Sequence, residues 1–465
     1  MQRDPLFAIS PIDGRYHARV ALLAPFLSEH ALMGYRLRVE TEYLIALSEI
    51  EGFGPRSFTE EEKSFLRELP LMTGEEAQVI KDIEERGHAG IPATNHDVKA
   101  VEYYIRLRIA GSSLADVAEW VHFGTTSEDV DNLSRAMMLR DACEQVLIPA
   151  AREIVSALDA WASLYAELPM LARTHGQPAS PTTFGKEMRV FADRLRREVE
   201  TLSSFALRAK WSGATGSHNA LVAAAPGVDW VSFSERFIAR ASGSGASMRI
   251  LPTKAATQVD PQDSYAELFQ ILYRMNTILI AFDQDMWRYI SDGWVVQKAV
   301  AGEIGSSTMP HKVNPIDFEQ SEGNAGLANA LFEFFARKLP ISRLQRDLSD
   351  STVKRAIGTA LAHSLVSYTS TLKGIGKSAP SAEAMRGALA AHPEVLAEAI
   401  QIILRREGAP QGYEMLKEVV RGKQVTLEGL RAFVRGLSVR EEVKRELLAL
   451  TPETYTGVAE RIARG

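Results

Sequence analysis

The apolar residues between positions 262 and 292 constrain the fold of this chain more than any other feature of its sequence. They occupy more than one face of a helix: Leu268, Phe269, Ile271, Leu272, Tyr273, Ile278, Leu279, Ile280 and Phe282. A helix that is apolar on several sides is buried on several sides. The stretch is therefore predicted to form a long helix in the interior of a helical bundle.

Two other long helices are predicted. From Ser127 to Leu168 no cluster of loop-forming residues interrupts the chain, and Pro149 is expected to kink the helix rather than end it. Ser180 and Pro181 have the residue types of an N-cap and a first helical residue, so a third helix is predicted from there to about residue 209. A helix of about 40 residues is about 60 Å long, which exceeds the diameter of a small domain.

Shorter helices are predicted on both sides of this core, and strands with alternating apolar residues are nearly absent. Thr59 with Glu62, and Thr73 with Glu76, have the spacing of helix capping boxes. The predicted fold class is all-α, a core bundle of long helices flanked by two smaller helical domains. Turn-forming residues place the N-terminal domain at 1–111, the core at 112–368 and the C-terminal domain at 369–465.

Bundles of such long helices leave apolar seams uncovered within one chain. Helices of several subunits packed side by side cover these seams, so we expect a homo-oligomer. A long monomeric bundle is the alternative.

Composition excludes several classes of protein. The chain has 46% hydrophobic and 24% charged residues and a net charge of -6, so its surface as a whole does not favour nucleic acid. The single cysteine, Cys143, cannot form an internal disulfide. No signal peptide and no apolar run of about 18 residues is recognisable. We therefore expect a cytoplasmic protein without a membrane partner.

A polar loop at residues 305–315, GSSTMPHKVNP, interrupts this helical chain. It fails as a phosphate-binding P-loop, because His311 and Val313 stand where Gly and Ser or Thr are required. Asn314 and Pro315 suit the start of the next helix, so a plain linker is one interpretation. Lys312, however, opposes the positive end of that helix unless an anion lies between them. A carboxylate ligand is the other interpretation.

Three further segments share this polar character: residues 94–97, 122–129 and 173–178. His175 in the last segment is equally consistent with an ordinary structural histidine, and His96 and Asp97 with helix capping. Adjacent residues on a helix do not converge on one ion, and no HExxH spacing exists, so a metal site is not expected.

These motifs together resemble the signature sequences of the fumarase/aspartase superfamily, whose members eliminate fumarate from succinyl-bearing substrates. Within it the chain resembles the longer bacterial members of the adenylosuccinate lyase family, and residues 10–16, 94–103 and 346–353 extend the match. That family cleaves adenylosuccinate to AMP and fumarate, and the purine precursor SAICAR to AICAR and fumarate. The resemblance implies nucleotide substrates, no cofactor, and a homotetramer whose sites draw on three chains.

The resemblance also implies residue roles. Ser306 is the base, His175 is the general acid, and Glu319 orients His175. The positions that match substrate contacts are Arg15, Tyr16, Asn95, His96, Asp97, Thr126, Ser127, Gln258, Ser307, Lys312, Val313, Asn314, Gln320, Arg346, Ser351, Thr352, Val353, Lys354 and Arg355. At position 320 the family pattern has Asn where this chain has Gln, so the contact there is in doubt.

A run of cations between residues 337 and 355 bears on the choice of substrate. It contains six cations, Arg337, Lys338, Arg343, Arg346, Lys354 and Arg355, against Asp347 and Asp350. A solvated, salt-bridged helix face is the ordinary interpretation of such a run. Ser351 and Thr352 within it favour an oxyanion site, because hydroxyls beside arginines suit phosphate.

Two rival functions remain open at this point. One is a sister lyase that releases fumarate from another compound, such as argininosuccinate. The other is a structural protein that kept the fold and lost the chemistry. The cation run argues against the first, and the joint presence of Ser306, His175, Lys312 and Glu319 argues against the second.

Overall fold

The computed structural model describes residues 4–243, 245–298, 309, 312–409, 414, 416–417 and 425–465. Helices dominate these residues, and the described strands form three two-stranded pairs. The all-α prediction is therefore confirmed. Ser306 and Ser307 lie outside the described residues, so the prediction of their roles is not tested by the fold.

The helices and strands follow one another in chain order. The α-helices are α1 His17–Val20, α2 Ala24–Leu27, α3 Glu29–Leu47, α4 Glu60–Glu68, α5 Gly74–Glu85, α6 Asp97–Ile109, α7 Ser127–Ala142, α8 Ile148–Leu164, α9 Phe184–Ser203, α10 Asn219–Ala224, α11 Trp230–Ser242, α12 Asp263–Ser291, α13 Ile316–Lys338, α14 Ser349–Arg355, α15 Ile357–Lys377, α16 Ala382–Ala390, α17 Ala397–Arg406, α18 Leu427–Arg435, α19 Glu441–Ala449 and α20 Ala459–Arg464. The strands are β1 Pro169–Thr174, β2 Gln177–Thr183, β3 Ala206–Ala209, β4 Arg249–Pro252, β5 Val295–Gln297 and β6 Ser378–Pro380.

The chain divides into two compact units. Unit 1 comprises Met1–Ala151, Glu198–Thr277 and Gly323–Ser367, and unit 2 comprises Arg152–Arg197, Ile278–Glu322 and Tyr368–Gly465. The division into three domains along the sequence remains a prediction.

In unit 1, helices α3 to α6 enclose a core that includes Leu37, Leu66, Ile80 and Tyr104. The two predicted capping boxes are present at its edge. Thr59 accepts from the Glu62 amide at 3.3 Å, and the Glu62 carboxylate accepts from the Thr59 amide at 2.9 Å. Thr73 and Glu76 bond in the same reciprocal way. Local sequence spacing therefore determines where α4 and α5 begin.

The long helix predicted from Ser127 forms, and Pro149 does not end it. A π-helical turn at Cys143–Leu147 joins α7 to α8 just before this proline. Proline has no N–H, and its ring clashes with the carbonyl four residues earlier, so a widened turn lets the helix continue.

The helix predicted from Ser180 to about residue 209 is wrong at both ends, because α9 spans only Phe184–Ser203 and Ala206–Ala209 form β3. In unit 2, β1 pairs antiparallel with β2, and α9 begins only at Phe184. Thr174 pairs with Gln177, so His175 and Gly176 form a two-residue hairpin turn. Both have positive φ angles, 53° and 75°, as a turn of type I′ requires. Pairing between strands overrides the local capping signal at Ser180.

No single helix among the described residues has both the length and the hydropathy to cross a membrane. The helices Ala382–Ala390 and Pro393–Arg406 meet those two criteria only as a pair, across a bend of 71°.

We predict that Gly185→Ala destabilises the protein by about 1–3 kcal/mol, the usual cost of forcing extra atoms into a packed interior. A methyl group at Gly185 would lie 2.7 Å from the Cα atom of Ala166, too close for a real contact. Thermal and denaturant unfolding measure the change.

Gly387→Ala is the matched control. Gly387 is an exposed glycine within α16, and a methyl group there meets nothing within 4 Å. Its substitution is expected to raise stability by up to about 1 kcal/mol, because alanine favours a helix over glycine. Equal behaviour of the two variants would contradict the packing argument.

Candidate functional site

In unit 1 the predicted motif at residues 94–97 meets the motif at residues 126–129. His96 is the N-cap of α6, and its Nδ1 accepts the Lys99 amide at 3.2 Å. Because an amide can only donate, a neutral His96 carries its proton on Nε2. Nε2 lies 3.3 Å from the Ser127 hydroxyl. His96 therefore caps one helix and contacts the first residue of another. The preceding residue, Asn95, has a positive φ of 49°.

A buried ion pair fixes the N-terminus of α7. Asp129 and Lys210 are both fully buried, with 2.7 Å between Oδ1 and Nζ. The Asp129 carboxylate also accepts the amides of Thr126 at 2.9 Å, Ser212 at 2.9 Å and Gly213 at 3.1 Å. Nearly every hydrogen-bonding position of this carboxylate is therefore filled.

Asn132 adds a second link between the same two segments. Its side-chain oxygen accepts the Lys210 amide at 2.8 Å, and its amide nitrogen donates to the Lys210 carbonyl at 3.0 Å. Thr126 and Ser127, which are half-buried at the start of α7, are thus held by interactions with the protein interior. The positive end of a helix carrying these hydroxyls is suited to an anion.

Asp97 belongs to a chain of ion pairs behind this site. The Arg36 guanidinium donates to Asp97 at 2.9 Å and to Asp131 at 2.6 Å, and Asp131 accepts from Arg135 at 2.6 Å. Burial raises the pKa of Asp97, but Arg36 outweighs burial, so the pKa lies below its usual value. Asp97 is therefore ionised, and one of its oxygens is occupied by Arg36.

Two cations of the predicted phosphate site are engaged by carboxylates. Lys354 is buried and contacts Glu128 at 2.8 Å and Asp350 at 2.7 Å. Arg346 contacts the same two carboxylates, at 3.2 and 3.0 Å. Burial lowers the pKa of Lys354, but the surrounding carboxylates outweigh it and raise the pKa. Lys354 is therefore charged and compensated inside the protein.

Arg355 differs from both. It is exposed and donates to the Ser351 hydroxyl at 3.0 Å. Within the described part of the chain no carboxylate lies within ion-pair distance of it. Of these three cations, Arg355 has the charge most available to a ligand.

The other residues predicted to contact the phosphate are either close to Arg355 in the sequence or near the N-terminus. Thr352 is exposed, Val353 is half-buried, Arg15 is exposed and Tyr16 is half-buried. Among the described residues, neither Arg15 nor Tyr16 has a hydrogen bond from its side chain to residues 346–355.

A cavity of about 450 Å³ in unit 1 includes three of the predicted residues: Asp97, Lys354 and Arg355. Its volume lies within the range of small-molecule sites, roughly 300–1,000 Å³. The other residues around it are Leu27, Ser28, Glu29, Leu32, Met33, Arg36, Lys81, Glu84, Arg135, Met138, Leu139, Ile357 and Gly358. Its walls combine apolar side chains with the ion pairs of Arg36, as suits a ligand with both apolar and charged groups.

Gln258 lies on a loop of unit 1 that is tied to two other segments. Its amide nitrogen donates to the Ala214 carbonyl at 3.0 Å, and its backbone N–H donates to the Gln345 carbonyl at 3.2 Å. The loop that carries Gly213 therefore supports both Gln258 and the carboxylate of Asp129.

The other predicted residues lie in unit 2. His175 is exposed at the tip of the hairpin turn. Glu319 is exposed in the first turn of α13 and accepts the Trp287 indole N–H at 3.2 Å. Gln320 accepts the Ser370 hydroxyl at 3.2 Å. No hydrogen bond joins His175 to Glu319 in the described structure of unit 2.

Three of the residues predicted to contact the substrate lie just before Pro315, which precedes α13. Lys312 and Val313 are exposed and Asn314 is half-buried. The Val313 carbonyl accepts a hydrogen bond from the side-chain amide of Gln297 at 3.4 Å. Within the described residues, no group of three or more His, Cys, Asp or Glu side chains could hold a metal ion.

Sequence reasoning missed two buried partners in unit 1. Little in the sequence indicates that Lys210 is buried. The one weak sign is its position between the apolar residues Ala209 and Trp211. The second is Glu40, which lies 2.5 Å from Nδ1 of His122 and is fully buried. Burial lowers the pKa of His122, but the charge of Glu40 outweighs it and raises that pKa.

Comparisons with known proteins identify the family of the chain. A family model described as Lyase matches residues 75–328, and one described as Adenylosuccinate lyase C-terminal matches residues 342–456. The adenylosuccinate lyase of Vibrio cholerae serotype O1 is 46% identical over 462 residues, 99% of this chain and 98% of that protein. The enzymes of Escherichia coli K12 and Dictyostelium discoideum are each 44% identical, over 99% and 98% of this chain and 98% of each relative.

Solved structures of more distant proteins share the fold. A fumarate lyase from Mesorhizobium sp. BNC1 matches with a TM-score of 0.74 and 19% identity, over 95% of this chain and 96% of its own. The 3-carboxy-cis,cis-muconate lactonizing enzyme of Pseudomonas putida matches with a TM-score of 0.72 and 20% identity, over 96% and 97%. At such identities the likeness concerns the fold alone.

We predict that Lys210→Met lowers the free energy of unfolding by about 3–5 kcal/mol, because it leaves Asp129 buried without its counter-charge. Lys63→Met is the control, since Lys63 forms ion pairs with the more exposed Glu49 and Glu60. The control is expected to change stability little. Denaturant unfolding measures both, and equal effects would contradict a special role of the buried pair.

Proposed function

The chain belongs to the adenylosuccinate lyase family, and we propose that it cleaves adenylosuccinate to AMP and fumarate and SAICAR to AICAR and fumarate. The observation that carries the proposal is the identity of 44–46% with adenylosuccinate lyases over essentially the whole chain. The contact between His96 and Ser127 also supports the proposal, because it lies at a helix start that the Asp129–Lys210 ion pair holds in place.

The reaction needs a site for the succinyl carboxylates. Thr126 and Ser127 at the N-terminus of α7 supply hydroxyls and a positive helix end. An acidic residue in the first turn would ordinarily offset that positive end. Here Lys210 compensates Asp129, which leaves the helix end able to attract a carboxylate of the substrate. Lys312, Asn314 and Ser307 complete the carboxylate contacts in this proposal.

Two proton transfers accompany the elimination. Ser306 takes the proton from the carbon beside a carboxylate, and His175 protonates the departing nitrogen. A serine needs local stabilisation of its alkoxide, for which Lys312 is the proposed source. His175 is exposed at the tip of its hairpin turn, and Glu319 orients the imidazole in this proposal. Each transfer contributes about 10²- to 10⁴-fold to the rate.

The nucleotide part of the substrate is assigned to the remaining predicted residues. Arg355 and Ser351 bind the phosphate, assisted by Arg15 and Tyr16, because Arg355 has no carboxylate partner among the described residues of unit 1. Arg346 and Lys354 instead support this region from within. Asn95, His96, Asp97 and Gln258 bind the base and ribose side.

The working form is proposed to be a cytoplasmic homotetramer whose sites draw on several chains. Large apolar side chains on the long helices support association. Tyr273 and Trp287 on α12 are 38% and 46% exposed, and Leu327 and Phe334 on α13 are 56% and 44% exposed. Packing of such helices between subunits would remove this apolar surface from water.

A substrate panel tests the proposed activity. Purified protein is incubated separately with adenylosuccinate, argininosuccinate and malate, and fumarate release is followed. We expect release from adenylosuccinate and none at a comparable rate from the other two. Ser306→Ala is expected to bind adenylosuccinate and to lose at least about 10²-fold in kcat, because only the proton-accepting hydroxyl is removed.

Release from argininosuccinate alone would overturn the assignment, and absence of release from all three would favour a structural protein. Substantial turnover by Ser306→Ala would show that another group is the base.

The phosphate assignment predicts that Arg355→Met raises KM for adenylosuccinate about 10- to 100-fold, the loss expected for one charge-assisted hydrogen bond. With the phosphate-free succinyladenosine, the same substitution is expected to change kcat/KM little.

Lys354→Met serves as the contrasting variant. It leaves Glu128 and Asp350 without their buried cation, so its main effect is expected on the unfolding midpoint. A Lys354→Met variant of normal stability with a phosphate-dependent rise in KM would reverse the assignment of these two cations.

A further inference from the structure

A second, much smaller cavity lies in unit 1 beside the loop that holds Asp129. Its volume is about 20 Å³, and its polar lining includes Trp211, Ser212, His218 and Ser234. The other residues around it are Val231, Glu235, Ile238, Pro252, Thr253 and Lys254. The cavity therefore lies between the loop 210–218 and the helix α11.

Three of these lining residues carry buried polar atoms that have no hydrogen-bond partner among the described residues. The atoms are Oγ of Ser212, Nδ1 of His218 and Oγ of Ser234. Their residues are 3%, 9% and 6% exposed, so bulk solvent does not satisfy them. Most buried polar groups in folded proteins have partners, and three unpartnered ones around a single cavity indicate a bound polar molecule.

We propose that this cavity binds one ordered water molecule, which joins the loop 210–218 to α11. A cavity needs roughly 10–15 Å³ to admit a water, and the water needs two to four polar partners. The lining meets both conditions. Its chemistry is complementary as well, because the two hydroxyls donate or accept and a neutral imidazole nitrogen accepts.

The environment of His218 agrees with an acceptor role. Burial lowers the pKa of His218, so its imidazole is neutral near pH 7. A cation is disfavoured, because the one carboxylate of the lining, Glu235, is already paired with Lys254 at 2.6 Å. The Lys254 side chain of this pair is 68% exposed.

The position of the cavity gives the water a structural purpose. The Ser212 amide donates to Asp129, and the Ser212 carbonyl accepts the His218 amide at 2.8 Å. The carbonyl of Ala214, in the same loop, holds Gln258. A water that bonds to Ser234 would tie this loop to α11 and thereby brace the support of α7.

Two measurements on the full-length protein test the proposal. A crystal structure that resolves ordered solvent is expected to show a density peak within hydrogen-bond distance of His218 Nδ1 and at least one of the two hydroxyls. A dry cavity would overturn the proposal. So would a peak whose surroundings are those of a metal ion.

The second measurement compares two serines by their melting temperatures. Ser134 is a buried residue of α7 that does not line the cavity, and its hydroxyl also lacks a hydrogen-bond partner among the described residues. Ser234→Ala is expected to lower Tm by about 2 °C, because a hydrogen bond to the water is lost. Ser134→Ala is expected to leave Tm unchanged or raise it, because it removes a polar group that has no partner. A rise in Tm for both variants would mean that Ser234 is also unsatisfied and that no water is bound.

Discussion

The ion pair between Asp129 and Lys210 is the interaction on which the candidate site depends. Both groups are fully buried, and the removal of either partner would strand a charge in the interior. The cost is limited because backbone amides fill the other positions of the carboxylate and the Gly213 carbonyl accepts from the ammonium. The pair fixes the start of α7, a helix buried along almost its whole length. The placement of Thr126 and Ser127 is thereby decided in the core.

The cations of unit 1 likewise differ in whether a carboxylate compensates their charge. Arg36, Arg135, Arg346 and Lys354 are matched by buried or half-buried carboxylates, so their charges hold the helices together. Arg355 is not matched in this way by any described residue, and the hydroxyls of Thr126 and Ser127 lie at the positive end of α7. An anionic ligand would complete these groups. A site of this kind attracts an anion, and it does so without leaving an uncompensated cation in the apolar interior.

Much of the fold could be predicted from the sequence because helix signals are local. The capping boxes at Thr59 and Thr73, the continuation of the helix through Pro149 and the burial of most apolar residues of α12 follow from residues within a few turns of each other. The hairpin of unit 2 could not be predicted in this way. Ser180 and Pro181 resemble a helix start, yet the residues around them pair with β1, and only strand pairing reveals that His175 and Gly176 form a turn.

The sequence by itself determined the helical class, the family and the residue types that the chemistry requires, because spacing and motif are properties of the chain. Tertiary structure alone decided which charges are available. Lys354 meets Glu128 across 226 residues, and Lys210 meets Asp129 although these two residues are also far apart in the sequence. Lysine and arginine at 354 and 355 are adjacent and alike in charge, but one points into a set of carboxylates and the other toward solvent. Electrostatic partners are chosen by distance in space, which spacing along the chain does not encode.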